Sequence, residues 1–254
     1  MSLMTTLGIQ PYVSGMPGWV GMSFDGDDWA QGVVNADFQI ASTDVFAVEY
    51  WVYADAGGGD GSVLTISPDA GYAPGLTTYV NATSGTLTMR MHEVGGAWGN
   101  YTKAGALSAA TWTHCLWLVS IPAKTGQLWI NGVAQNPGYA GTKPTANLYD
   151  GTTTAVHAGK WYQANKYLAG RIALLRWYKG ASIDPAAILA ARYDPWNTSL
   201  VDLKASWVML TGTGGAYWHD GVGDHDLLRG NNVTPNSNWP TTLDFTSITA
   251  GGPV

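Results

Sequence analysis

Apolar and polar positions alternate with a period of two through most of the chain, most densely in residues 111–134, TWTHCLWLVSIPAKTGQLWINGVA. Within 112–120, Trp112, His114, Leu116 and Leu118 fall on one side of an extended chain and Cys115, Trp117 and Val119 on the other. Neither side is polar, so this strand is expected to be covered on both faces, in the middle of a packed two-sheet structure. A short connection containing Pro122, Lys124 and Gly126 leads into a return strand over 127–130. Asn131-Gly132, a pair that readily takes positive φ, closes that strand, and the whole reads as a hairpin. Residues 45–53 repeat the two-faced pattern, setting Phe46, Val48, Tyr50 and Val52 against Ala47, Glu49, Trp51 and Tyr53.

Further strands are expected at 19–24, 63–66, 76–80, 86–92, 97–103, 155–161 and 168–178, separated by turn clusters at short spacing. That is the pattern of an all-β sandwich and not of βαβ units. One helix is expected at 184–193, where Asp184 can cap, Pro185 suits the first position and Pro195 stops continuation. The expected organisation is an N-terminal arm (1–18), a sandwich (19–239) and a C-terminal tail (240–254), the arm and tail serving as contacts to neighbouring subunits. Residues 135–154, rich in Pro, Gly, Thr and Asn, are too long for a simple turn and are a candidate binding loop.

Trp112-x-His114, an apolar run and then Thr125-Gly126-x-Leu128-x-Ile130-Asn131-Gly132 resemble the central hairpin of laminin G-like domains of the concanavalin A-like lectin and glucanase superfamily. Flanking blocks add to the resemblance: Ser23-Phe24-Asp25-Gly26-Asp27-Asp28, then 46–52 (FAVEYWV), Gly170-Arg171-Ile172-Ala173 and Arg176-Trp177-Tyr178. The resemblance covers roughly residues 20–195 and implies a two-sheet antiparallel jelly-roll sandwich with one short helix. Residues 205–239 are similar to the opening block of such domains. Here they stand at the end, where they can complete the same sheets from the opposite side.

Composition narrows the function classes. Of 254 residues only 12% are charged, and the formal net charge of −6 offers no basic footprint for nucleic acid. The single Cys115 precludes an intrachain disulfide and is expected to be a buried core residue. No basic start followed by an apolar run marks a secretory leader, and no stretch is long and apolar enough for membrane insertion. A lectin-like domain with neither leader nor disulfide is expected to fold in a cytoplasm. That description suits a virion component of a bacteriophage, a capsid decoration or fibre-associated protein assembled in the host cytoplasm and displayed on the virion surface as a homo-oligomer. The alternative expectation is a lectin or adhesin module that recognises host or environmental glycans.

Catalytic patterns are missing. Glucanases of the superfamily carry two Glu flanking an Asp on one strand, whereas this chain has Glu49 and Glu93 alone, far apart in sequence, so a glycoside hydrolase is the least favoured reading and the chain is expected not to be an enzyme. The five His show no zinc-site spacing, and no Gly-x-Ser-x-Gly elbow occurs. Calcium is the metal that the resemblance implies, with Asp220, Asp224, Asp226 and Asn231 as candidate ligands in one Gly-rich stretch and Asp25, Asp27 and Asp28 as a second acidic cluster. Ordinary turn chemistry competes with that assignment. Among 13 Trp and 13 Tyr, the strand residues are expected in the core. Trp98, Tyr101, Tyr139, Tyr149 and Trp218, with Trp161 among the further loop aromatics, are the candidate contacts to carbohydrate or a protein partner.

Overall fold

A computed structural model describes residues 21–26, 29–33, 36–68, 75–148, 154–161, 166–208, 217–218, 220–223, 225–229 and 243–244. Two antiparallel sheets face each other. The eight-stranded sheet runs, in spatial order, β10 (Val133–Gln135), β9 (Thr125–Ile130), β8 (Trp112–Ser120), β3 (Val45–Ala54), β13 (Ala169–Lys179), β1 (Gly21–Asp25) and β17 (Leu243–Asp244), with β14 (Leu203–Val208) also paired to β13. The nine-stranded sheet runs β11 (Gly138–Gly141), β7 (Trp98–Lys103), β6 (Thr86–His92), β5 (Gly75–Asn81), β4 (Asp60–Pro68), β12 (Thr154–Ala158), β2 (Ala30–Val33), β16 (Leu227–Arg229) and β15 (Tyr217–Trp218). This is the jelly-roll sandwich expected from the sequence, with one short helix, α1 (Pro185–Ala190).

The two-faced strands explain the layering. Phe46, Val48, Tyr50 and Val52 of β3 and Cys115, Trp117 and Val119 of β8 enter the core between the sheets, against Leu76, Val80, Leu87, Met89 and Met91. The opposite faces carry Ala47, Leu116 and Tyr178, which pack against Ile188 of α1. The eight-stranded sheet is therefore covered twice, by the other sheet and by α1 with its flanking turns. Asp184 Oδ1 accepts from Ala186 N (2.9 Å) and starts the helix as expected. The helix is shorter than the expected 184–193: the chain turns at 191–193, and the carbonyl of Arg192 accepts from Trp51 Nε1 (2.9 Å) while that of Asp194 accepts from Arg176 Nη2.

The Asn131-Gly132 turn takes φ of 50° and 85° between β9 and β10, as its residues require. The C-terminal block completes both sheets. β14 lies beside Leu174–Tyr178 of β13 and β1 beside Ala169–Ile172, so strands from opposite ends of the chain share one edge. β16 joins β2, and β17, within the expected C-terminal tail, pairs with β1. The N-terminal arm and the rest of that tail lie outside the described residues. The 135–154 connection is not one open loop. It contributes β11 and is then pinned, with Glu93 Oε2 accepting from Thr145 N and Ala146 N (2.7 and 2.9 Å) and Leu148 N donating to Ile40 O. Among the described residues no helix is long and apolar enough to cross a membrane.

Candidate functional site

The face of the nine-stranded sheet turned away from the core gathers polar and aromatic side chains. Because Leu87, Met89 and Met91 point inward, Thr88, Arg90 and His92 of β6 point outward. Pairing carries that phase across the sheet. One row runs Gln31, His157, Thr65, Thr77, Arg90 and Asn100, a second runs Ser62, Tyr79, Thr88 and Thr102, and His92 stands opposite Trp98.

Beside these rows Lys160 pairs with Tyr167, which brings Trp161 and Lys166 to the face. Trp161 lies flat on Tyr79, with ring centroids 5.6 Å apart and planes 11° from parallel. The Arg90 guanidinium carbon lies 4.9 Å from the Trp98 ring centroid and 5.4 Å from that of Trp161, so the cation sits between two indoles. Trp98 is 44% exposed. Beside them Asp60 accepts from Lys166 Nζ (2.6 Å) and Asn81 Nδ2 (2.7 Å), and Lys166 also lies 4.9 Å from the Trp161 ring. Partial burial would raise the Asp60 pKa, but Lys166 and Asn81 outweigh it and hold the carboxyl below its usual range. Burial, then the Arg90 charge, depress His92, so the imidazole is neutral at pH 7. The surface thus offers an exposed indole, a stacked cation and hydrogen-bonding groups, which together suit an amphipathic, hydroxyl-rich ligand.

Of the aromatic residues named from sequence, Trp98 and Trp161 belong to this face. Tyr101 does not: it lies in β7, three residues beyond Trp98 and so of opposite phase, and its ring is buried against Gly126. Tyr139, in β11, packs edge-on against Tyr101 (4.7 Å) and donates its hydroxyl to Thr142 O (2.6 Å). Burial first, then Tyr101 and Glu93, push the Tyr139 phenol up to about 12. Trp218 belongs to β15, where its backbone pairs with Leu227; its side chain and Tyr149 lie outside the described residues. Arg90, Tyr79, Asp60, Asn81 and Lys166 were not singled out by sequence reasoning, although the alternation in 86–92 already gave Arg90 its outward phase.

Of the candidate calcium ligands near the C-terminus, the two described ones, Asp220 and Asp226, are engaged with backbone N–H groups. The Asp220 carboxylate is buried and accepts three backbone N–H groups, from Ser206 and Val222 at Oδ1 (2.7 and 3.0 Å) and from Gly223 at Oδ2 (3.0 Å). Asp226 Oδ1 accepts from Asp220 N (2.9 Å). Calcium needs six to eight converging oxygens, whereas Asp220 spends its lone pairs fastening a turn to β14. Asp224 and Asn231 lie outside the described residues, as do Asp27, Asp28 and the side chain of Asp25. Among the described residues no three His, Cys, Asp or Glu groups converge on a point.

Glu49, His114, Arg176 and Tyr178 form a second polar cluster, fully enclosed beneath the α1 layer. Glu49 Oε1 accepts from His114 Nε2 (3.0 Å), and its Oε2 accepts from Arg176 Nη1 (3.2 Å) and Tyr178 Oη (2.7 Å). Burial would raise the Glu49 pKa, but these partners prevail and hold it low. Every member is enclosed and bonded within the cluster, His114 Nδ1 being left without a partner among the described residues, and the arrangement is that of a structural clamp.

An antiparallel sandwich with an aromatic, polar outward face is the architecture of lectin-like modules. Residues 24–185 match the laminin G-type family of the concanavalin A-like lectin/glucanases superfamily, and the chain belongs to it. No curated protein sequence matches the chain. Solved structures share the fold at low identity. A putative carbohydrate binding protein from Bacteroides ovatus superposes with a TM-score of 0.56 at 11% identity, over 87% of this chain and 64% of its own. The binding domain of botulinum neurotoxin serotype G gives 0.52 at 7% identity, over 70% and 42%. The binding domain of Paraclostridial mosquitocidal protein 1 gives 0.50 at 13%, over 72% and 47%. The chain thus spans less than two thirds of each of these proteins.

Proposed function

We propose that the chain is a non-catalytic carbohydrate-binding module that takes glycans on the outward face of its nine-stranded sheet. The observation that carries this reading is the Trp98–Arg90–Trp161 array, an exposed indole and a stacked cation ringed by Asn81, Asp60, His92 and Asn100. Pyranose rings present an apolar face to an indole and hydroxyls to such a rim. Membership of a lectin-containing superfamily supports it, and the Bacteroides ovatus protein of similar fold bears the description of a carbohydrate-binding protein. The non-catalytic part rests on both glutamates having structural duties, Glu49 in the enclosed clamp and Glu93 at the 145–146 backbone. The virion role expected first from sequence gains no support from fold or relatives, and glycan recognition takes its place.

A glycan array probed with the purified chain, with calcium and then with chelator, tests the reading. Selective binding that survives the chelator is expected, because the Asp220 carboxylate is already occupied by three backbone N–H groups. A blank array under both conditions overturns the proposal.

A further inference from the structure

We infer that the glycan received by this face is acidic, its carboxylate docking on Arg90 while the adjoining sugar ring lies against Trp98; this deepens the glycan-binding reading and rests on it. Several cations near the sheets are already engaged. Lys166 is paired with Asp60, Lys179 with Asp44 and Arg176 with Glu49, and Lys143 and Arg192 donate to backbone carbonyls. Arg90 makes neither a hydrogen bond nor an ion pair with any described residue, and its Nε is buried without a partner.

A guanidinium with unused donors in a half-buried setting is an electrostatic cost to the fold unless an acceptor arrives. Trp98 and Trp161 flank it, so the ordering that a bidentate carboxylate contact demands is already met. Asp60, a carboxylate of the same face, is already held by Lys166 and Asn81. The charge of the whole chain narrows the ligand further. At a net charge of −6, a densely charged polyanion is repelled at long range, whereas one carboxylate per recognised unit meets a local cation. A sugar acid, uronic or nonulosonic, has that chemistry.

The test titrates the wild-type chain with uronic- and nonulosonic-acid oligosaccharides, their methyl esters, the neutral parents and sulfated counterparts. Esterification is expected to weaken binding by roughly ten- to a hundredfold, the loss of a charge-assisted contact. Added salt should weaken the acid more than the ester, and Arg90→Gln should erase the difference between them. Because the ester comparison is made on the wild type, it stands even where the variant folds poorly. Equal binding of acids, esters and neutral parents overturns the acidic inference and leaves the glycan reading intact. Tighter binding of the sulfated series overturns the carboxylate assignment. No binding of any member, neutral or charged, overturns both.

Discussion

His157 lies on the outward face of β12 yet is only 3% exposed, and its Nδ1 has no partner among the described residues. Burial first, and then the Lys160 charge, depress its pKa from 6.5 to about 4. Because the unfolded chain takes up this proton before the folded one, the stability held by the neutral ring is complete above pH 6.5 and is lost as the pH falls to about 4, on the order of 3 kcal/mol. His92 adds in the same direction, since its pKa is also lowered. Denaturant unfolding followed between pH 7 and 4.5 should show this decline before Glu49 begins to titrate, and His157→Gln should flatten most of it; a wild-type profile level over that interval contradicts the assignment. Single residues were unevenly legible in the sequence. Cys115 and Trp117 were placed in the core by the phase of their strand. Tyr101 was misplaced because the same phase argument was not applied to β7, which turns it inward. His157 and Arg90 went unmarked because burial and the lack of a partner depend on what folds over a strand, and the sequence of the strand does not contain that.

At the scale of elements, the enclosed Glu49–His114–Arg176 cluster explains why residues 180–202 stay on the back of the eight-stranded sheet. Strands β3, β8 and β13 each supply one member, and Arg176 reaches past Glu49 to the carbonyls of Asp194 and Asn197. Glu49→Gln leaves the guanidinium enclosed without its counterion. The expected loss is about 3–5 kcal/mol, read as a lower denaturant midpoint with an unchanged slope. A loss under 1 kcal/mol would mean that the cluster is not the clamp described. The hairpin of β8 and β9 was readable from alternation, its return strand starting at Thr125 and not at 127, and the Asn131-Gly132 turn was readable as the end of β9. β11 was not, because Gly138–Gly141 has no apolar alternation and takes its strand form from pairing with β7, far away in sequence. The helix end was overestimated because helix propensity continues through 191–193 while tertiary hydrogen bonds to Trp51 and Arg176 draw the chain off.

At the scale of the molecule, sandwich class and family were legible because blocks spread over most of the chain agree in order and spacing. The C-terminal block 205–239 was also rightly expected to finish sheets begun at the other end, through β14 and β16, whereas β17 falls in the stretch expected to be a contact tail. The candidate site was legible only in Trp98 and Trp161, because it is assembled from five stretches, β4, β5, β6, β7 and the residues after β12, whose side chains meet only once the sheet is formed. A stretch such as 220–226 reads as a metal loop in sequence but acts as a turn, since Asp220 reaches the backbone of β14. Calorimetric titration of the wild type and Trp98→Ala with the tightest glycan found on the array tests the central claim most directly. Trp98 stands at the exposed end of the array, so its removal is expected to weaken binding roughly tenfold or more while leaving the unfolding free energy within about 0.5 kcal/mol of wild type. Unchanged affinity in a folded Trp98→Ala chain would contradict the placement of the glycan site on this face.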